Sequence, residues 1–575
     1  MFIMTAKYLA LPICMILFIT NVLAQVPQVI NTSPVAQSMV TAISDPIIIT
    51  FDQPVNEATV TSSTFQVFGR WSGPMDGIYS FEAGSTIVKF TPIRHFFHGE
   101  WVKVGLSSGI ENTTGHPLTH GYSFNYWTKA LPASLDLEFA GQIDMRMAGE
   151  GQITCYGAYA GDINNDELSD LVVVVEDSDD IRVLLNDGAN NYDPFVVIEL
   201  PPIQGPSTNE GADFNHDGLI DIAIGSTYAD QVNVLQGDAS TFFGNPLGYQ
   251  TGEGVRGLTV ADFNGDGWDD IATANRFAST LTILMNDGTG EFESAVTIDT
   301  GLEGETAIAS TDLNGDGSMD LLVAGYTSSR LTSLLNDGTG NFTIYDTSTS
   351  SNGPWMIAIG DVNGDGFVDV ASANSLTHRI SIFTTDGLGG LEFDADYNVD
   401  TFPVAIDLGD IDGDGDLDFI SSNVLGPNYT LMENDGTGTF INPRTYSSPS
   451  GAACATIHDR NNDGTLDLTM IDEADDVVLM YNNTPNLSID NPESETVLTL
   501  YPNPFTNQLN INTGNSTFPI VFRLYDVQGR LLYTEEITSA KTIRLPNTIS
   551  ATGFYIAELE QEGQISQTKL LKSRR

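Results

Sequence analysis

The sequence predicts an all-β protein, a seven-bladed β-propeller with a smaller β-sandwich before it and another after it. Three observations predict the ring. A nonamer with Asp or Asn oxygens at positions 1, 3, 5 and 9 occurs seven times, at 162–170, 213–221, 262–270, 312–320, 361–369, 410–418 and 459–467. Successive starts lie 51, 49, 50, 49, 49 and 49 residues apart, and a fixed period of that length is the signature of a repeat architecture. Each repeat also holds four short apolar, β-branched segments between Gly-rich turns, the pattern of a propeller blade.

Taken in order, the chain opens with Lys7, an apolar run over 8–23, and small residues Val22 and Ala24 at the −3 and −1 positions of a cleavage site. Residues 1–24 are therefore expected to be a secretory signal peptide. No later segment reaches the roughly 20 apolar residues of a spanning helix, so no membrane span is expected after cleavage. Lys+Arg 22 against Asp+Glu 76 gives a net charge of −54, which argues against a nucleic-acid partner because phosphates would be repelled.

Residues 25–130 carry no nonamer. The segments 47–51, 64–68, 87–90, 101–106 and 122–126 look like strands between Gly, Pro and Asn turns, and predict a β-sandwich of about 100 residues. The runs Ile49-Thr-Phe-Asp-Gln-Pro-Val55, Gly109-Ile-Glu-Asn112 and Gly121-Tyr-Ser-Phe-Asn-Tyr-Trp-Thr128 resemble the bacterial Ig-like domain of the SbsA type. That resemblance implies a spacer or adhesive module. His95, His98, His116 and His120 fall here, in strands and turns where a spacing of four does not align side chains, and are read as structural.

A repeat region is expected over 133–485. One unit runs from a strand at 307–310 through the loop 312–320, a strand at 321–325, a turn, a strand at 331–336, the tight turn Gly338-Thr-Gly340 and a strand at 342–347. The phrase Asn-Asp-Gly-Thr-Gly-x-Phe recurs at 286–292, 336–342 and 434–440. The last repeat stops at Asn483 without its fourth strand, while 135–143 has the character of that strand. Closure of the ring by this N-terminal segment follows, leaving no edge strand to pair with another molecule. Cys14 lies in the leader; Cys155 and Cys454 precede the first and last loops, so either a disulfide across the closure or two free thiols is compatible with their positions.

The nonamers are read as loops that wrap one hard cation, with alternate side-chain oxygens, a carbonyl at position 7 and Gly at position 6. The candidate ligands are Asp162, Asn164, Asp166, Leu168 and Asp170; Asp213, Asn215, Asp217, Leu219 and Asp221; Asp262, Asn264, Asp266, Trp268 and Asp270. The same positions give Asp312, Asn314, Asp316, Ser318 and Asp320; Asp361, Asn363, Asp365, Phe367 and Asp369. The last two sets are Asp410, Asp412, Asp414, Asp416 and Asp418, and Asp459, Asn461, Asp463, Thr465 and Asp467. An EF-hand would need an acid at position 12, which is Val173, Ile224, Thr273, Val323, Ser372, Ser421 and Met470, and flanking helices where these flanks are strand-like. Glu167 replaces the position-6 glycine in the first loop, where a sharp turn favours a residue without Cβ, so that site is expected to be the weakest or differently shaped.

These repeats resemble the FG-GAP/VCBS family of integrin α-subunits and bacterial surface proteins. The resemblance implies up to seven structural Ca²⁺ ions at one face of the disc and a partner at the other. After a polar linker at 486–495, the motifs Leu500-Tyr-Pro-Asn-Pro504, Leu524-Tyr-Asp-Val-Gln-Gly-Arg-Leu-Leu532, Gly553-Phe-Tyr555 and Lys569-Leu-Leu-Lys572 resemble the type IX secretion C-terminal sorting domain over 496–575. That implies the type IX machinery as a partner and a secreted or outer-surface location.

On the face away from the loops the sequence places Arg276, Tyr326, Arg330, Trp355 and Arg379, with Tyr228, Phe277, Phe402 and Tyr429 in or beside the same turns. Aromatic and Arg side chains are the usual anchors of binding surfaces. No Ser-His-Asp order, zinc motif, nucleophile elbow or phosphate loop is present, and His216 and His458 belong to the loop face. The reading is a calcium-stabilised binding or adhesion protein for a glycan or extracellular protein, not an enzyme. The alternative is a polysaccharide-active enzyme using the same face.

Overall fold

The computed structural model describes residues 26–189, 191–202, 204–485, 499–501, 508–512, 520–526, 530–538, 542–546, 549, 553–561 and 564–572. The leader at 1–24 and the linker at 486–495 lie outside the described residues. All regular structure among the described residues is β, apart from one short 3-10 turn at Glu57–Thr59. The chain divides into two compact units, Met1–Asn486 and Leu487–Arg575.

The first unit begins with two four-stranded antiparallel sheets. One is ordered Val29–Ser33, Ile47–Phe51, Ile87–Pro92, Gly77–Glu82; the other Gly73–Pro74, Phe65–Gly69, Trp101–Leu106, Tyr122–Trp127. Strict alternation drives them together: Ile47, Ile49 and Phe51 from one sheet and Val102, Val104 and Leu106 from the other are all buried, as period-2 strands with one core face require. Phe65, Tyr79 and Phe90 fill the middle with centroids 5.5–5.6 Å apart.

Seven four-stranded antiparallel sheets follow, six of them in chain order from first to fourth strand. Their first strands are Cys155–Gly161, Pro206–Ala212, Val255–Ala261, Glu305–Thr311, Pro354–Gly360, Pro403–Gly409 and Ala452–His458. Each first strand contacts the first strand of the next sheet, and the seventh contacts the first, so the sheets form a closed ring around a central channel. Every residue of the second strands Asp170–Val175, Asp221–Ser226, Asp270–Asn275, Asp320–Gly325, Asp369–Asn374, Asp418–Asn423 and Asp467–Asp472 is buried. Packed between two neighbouring sheets, they are buried on both faces, polar residues such as Asn275, Asn374 and Ser421 included. The seventh sheet takes its outer strand from Glu138–Asp144, with Val477 opposite Asp144 and Asn482 opposite Glu138. The ring is thus fastened by the segment that enters it, and Cys155 and Cys454 are free thiols.

One residue sits elsewhere than its sequence context indicates. Tyr429, expected among the loops, is buried within Asn428–Asn434, and its hydroxyl donates to the Ile471 carbonyl at 2.6 Å. It points into the next sheet, not to solvent.

The second unit has a three-stranded sheet (Thr499–Tyr501, Gln508–Asn512, Thr542–Arg544) and a four-stranded one ordered Leu531–Ile537, Ile520–Asp526, Gly553–Gln561, Gln564–Lys572. Leu509, Phe522, Leu524, Ile543 and Ala557 share its core. Pro502, Asn503, Pro504, Gln528 and Gly529 of the sorting motifs lie outside the described residues.

Candidate functional site

Each nonamer joins the first and second strands of its sheet, so all seven loops emerge on one face. Their shape is set by the chain's own carboxylates. In 312–320, Asp312 Oδ1 accepts from the amides of Gly315 (2.8 Å) and Asp316 (3.2 Å), and its Oδ2 from Gly317 (2.8 Å). Asp316 Oδ1 accepts from the Ser318 amide at 2.8 Å. Asp320 closes the loop by accepting from the amides of Leu313 (2.9 Å) and Asn336 (2.8 Å). Gly317 sits at φ 87°, a left-handed conformation that favours glycine.

Carboxylates drawn together this way resist ionising. Burial, then the neighbouring position-5 acid, pushes the position-1 carboxyl up to about 7 in Asp213, Asp262 and Asp459 and to about 6 in Asp312. At position 9, burial raises Asp170 and Asp221 to about 8 and Asp320 and Asp369 to about 7. In the sixth loop, carboxylate oxygens of Asp410, Asp412 and Asp414 lie within 4.8 Å of one another. An all-oxygen set of this charge suits a hard divalent cation such as Ca²⁺, and loops two to seven fit that group. The first loop fits it less well. Glu167 adopts φ 65° where the others have glycine, and Arg94 Nη1 donates to Asp162 Oδ2 at 3.0 Å.

Arg94 belongs to the N-terminal sheets, and it is one of several groups that seat them on the loop face. Amides of Ser108 and Ser123 donate to the carbonyls of Gly265 (2.7 Å) and Gly317 (2.8 Å), and Leu131 to Gly464 (2.9 Å). Lys103 pairs with Asp269 at 2.6 Å, and Gln66 Nε2 reaches the His216 ring at 2.7 Å, where that ring stacks on Trp268 at 3.8 Å. A Cβ on Gly265 would stand 2.2 Å from the Gly121 amide nitrogen, so the two backbones meet only because both residues are glycine. Around Phe65–Gly69 the same module also closes the loop-side end of the channel. Arg70 pairs with Asp407 at 3.1 Å, and the Tyr159 hydroxyl donates to the Arg70 carbonyl at 2.6 Å.

The opposite face is organised by a feature with no sequence signal of its own. Every first strand carries a register shift at the same repeat position, which takes one residue out of the ladder. The residues so displaced are Tyr156, Ser207, Arg256, Thr306, Trp355, Val404 and Ala453, and all line one cavity of about 250 Å³ in the channel. Bulges re-aim side chains in this way. The three large ones come from alternate sheets and meet: Trp355 Nε1 donates to the Tyr156 hydroxyl at 3.0 Å, and the Arg256 guanidinium lies 5.0 Å from the Tyr156 ring and 5.7 Å from that of Trp355.

Of the residues expected on this face, the structure brings five together, with Phe277 5.7 Å from Arg276 and Phe402 6.2 Å from Trp355. Arg276 lies over Trp355 at 4.7 Å and Tyr326 at 5.0 Å. Arg379 instead pairs with Asp396 at 2.9 Å, and Arg330, also exposed, begins the third strand of its own sheet. Tyr228, Phe277, Leu376 and Leu425 are 52–65% exposed, and all four stand two residues beyond a second strand.

Sequence reasoning missed two groups. Arg256 gave no signal, because one arginine inside an apolar strand has no periodic marker. Asn336, expected only as the end of a strand, donates from its Nδ2 to the carbonyls of Met319 (3.0 Å) and Phe263 (2.8 Å), clamping its sheet to the preceding loop. Asn186, Asn286, Asn434 and Asn483 repeat that clamp. The constant offset from the loop to this Asn was the available clue.

Residues 162–421 match the FG-GAP-like repeat in five overlapping copies, 24–128 the bacterial Ig-like domain, and 499–573 the secretion system C-terminal sorting domain. No curated protein matches the chain. Among solved structures, an Agrocybe aegerita lectin that recognises non-reducing terminal N-acetylglucosamine is similar at 17% identity and TM-score 0.39, covering 73% of this chain and 99% of its own. A protein of unknown function from Desulfotomaculum acetoxidans aligns at 13% identity and TM-score 0.37, over 65% of this chain and 98% of its own. The protein carries FG-GAP-like repeats between a bacterial Ig-like domain and a type IX sorting domain, and the sorting domain marks it as secreted or held at the outer surface. No helix among the described residues is long and apolar enough to cross a membrane.

Proposed function

For an exported FG-GAP-like repeat protein with this site, we propose a calcium-stabilised, seven-bladed propeller that binds a glycan or an extracellular protein on the face away from its metal loops. Ca²⁺, bound by the aspartate and asparagine oxygens of the nonamers, supplies charge neutralisation and stiffens each loop. The first loop, with Arg94 on Asp162, binds it most weakly. The observation that carries the reading is the contrast in cover. The chain's own Ig-like domain sits on the loop face, while the other face exposes Tyr228, Phe277, Leu376 and Leu425 around Arg276, Tyr326 and Trp355. Exposed apolar groups clustered around a few aromatic and Arg anchors mark interaction surfaces. Arg330 and Arg379 stand at the rim of that surface.

The test is binding of the full chain, in calcium, to arrays of glycans and matrix proteins. Arg276→Glu should weaken binding at least tenfold with Tm unchanged. Binding that survives this change together with Arg330→Glu and Arg379→Glu places the ligand elsewhere.

A catalytic reading has one observation in its favour. Burial, then the adjacent Glu176, pushes the Glu473 carboxyl up to about 7, a value suited to proton transfer near neutral pH. Turnover on a polysaccharide panel, lost in Glu473→Gln, would favour it.

A further inference from the structure

The channel mouth carries an inference that rests on the binding-face reading and names the ligand class. Arg256 Nη2 stands 3.6 Å from Glu176 Oε1, a loose pair, while its Nε and Nη1 are buried without a hydrogen-bond partner among the described residues. Buried N–H groups of a cation are costly to leave unmet. Arg256 and Arg276 both lie against the Trp355 indole, at 5.7 and 4.7 Å. Glu473 lies near Glu176 and Arg256, and burial, then the charge of Glu176, holds its carboxyl above the usual range. The mouth therefore joins unspent donors and carboxylate acceptors beside an aromatic floor.

That combination selects among ligands. A carboxylate reaching Arg256 would face two glutamates, and a cation reaching the glutamates would face two guanidiniums. A peptide amide turns its N–H and C=O to opposite sides. Two neighbouring hydroxyls of a sugar ring offer a donor and an acceptor on the same side, with C–H groups left for the aromatic rings. Arg256, Tyr156 and Trp355 also line a channel cavity of about 250 Å³ that runs on to Arg70 and Asp407; it is below the size of pockets that hold drug-sized ligands, so a saccharide entering from the mouth can insert one ring and not a chain. We propose that the mouth binds a single uncharged pyranose at the end of a saccharide, with vicinal hydroxyls bridging Arg256 to Glu176 and Glu473.

The experiment is calorimetric titration of the full chain in calcium with methyl glycosides of glucose, galactose, mannose and N-acetylglucosamine, and with glucuronate and galacturonate. At least one neutral glycoside should bind saturably, and its analogue lacking one vicinal hydroxyl should bind at least tenfold more weakly. Arg256→Gln and Glu473→Gln should each cost at least tenfold, whereas Arg444→Gln, on an outer strand, should cost nothing. If Arg256→Gln does not fold, Glu473→Gln and Trp355→Phe carry the same test. Absence of saturable binding by every neutral glycoside, binding confined to the uronates, or binding indifferent to these changes overturns the assignment. If a matrix protein binds, Arg276→Glu abolishes that binding and no glycoside binds, the binding face stands and the saccharide assignment falls.

Discussion

The two faces of the ring are built on opposite plans. On the loop face one motif is written seven times, and where it varies, as at Glu167, a neighbouring group such as Arg94 meets the variant loop. On the other face, the residue just beyond each second strand varies around the ring, with six residue types in seven sheets: Glu176, Thr227, Arg276, Tyr326, Ser375, Val424 and Glu473. Repetition marks a task that every sheet must perform alike, here holding a loop and locking to its neighbour. Variation at a repeated position marks a surface that is asymmetric, as recognition of one ligand requires.

The largest expected effect separates the faces by metal. Each loop that binds calcium at a hundredfold excess over Kd adds about 2.7 kcal/mol to the folded state, so a chelator should lower Tm by about 10 °C or more. Scanning calorimetry with and without chelator checks this, and an unchanged midpoint contradicts structural calcium. Next in size is the clamp. Asn336→Ala strips a donor from two buried carbonyls and should cost about 2–3 kcal/mol in urea melts. Arg276→Gln on the other face should cost less than about 0.5 kcal/mol, and equal losses would erase the contrast.

A third change tests the cover. Gly121→Val drives a side chain into the Gly265 backbone and should unseat the Ig-like module, read as faster proteolysis near 129–132 with the ring intact. A smaller effect is expected from Arg94→Gln, which frees Asp162 and should tighten the weakest calcium site, raising the count of bound ions at limiting calcium. The smallest is a pH effect. Burial, only partly offset by Arg70, pushes the Glu210 carboxyl up from 4.5 to about 7. Its ionised form thus disfavours the fold above about pH 7, and that penalty fades as pH falls towards 4.5. Glu210→Gln should accordingly stabilise at pH 8 and become neutral near pH 4.5; the reverse order would contradict the burial.

The repeat is legible because its chemistry is local. Oxygens at alternate positions of a nine-residue loop satisfy that loop's own amides, as Asp312 and Asp320 do, so the spacing survives in the sequence whatever surrounds it. The strand at 135–143 could be assigned to the last sheet for a similar reason, since a blade lacking one strand must borrow it. Arg276, Tyr326 and Trp355 could be placed on one face by their offset from the loops, but their contact could not, nor could the pairing of Arg379 with Asp396 or the burial of Tyr429.

The sequence by itself determined the all-β class, the repeat and its period, the oxygen-rich loops and the modules at either end, because each depends on residues near one another along the chain. Only the tertiary structure decided that the Ig-like module covers the loops, that Asn336 and its counterparts bind sheet to sheet, and that bulges carry Tyr156, Arg256 and Trp355 from alternate sheets to one mouth. Those contacts join positions about 70 to 330 residues apart, and their geometry exists only once the ring has closed.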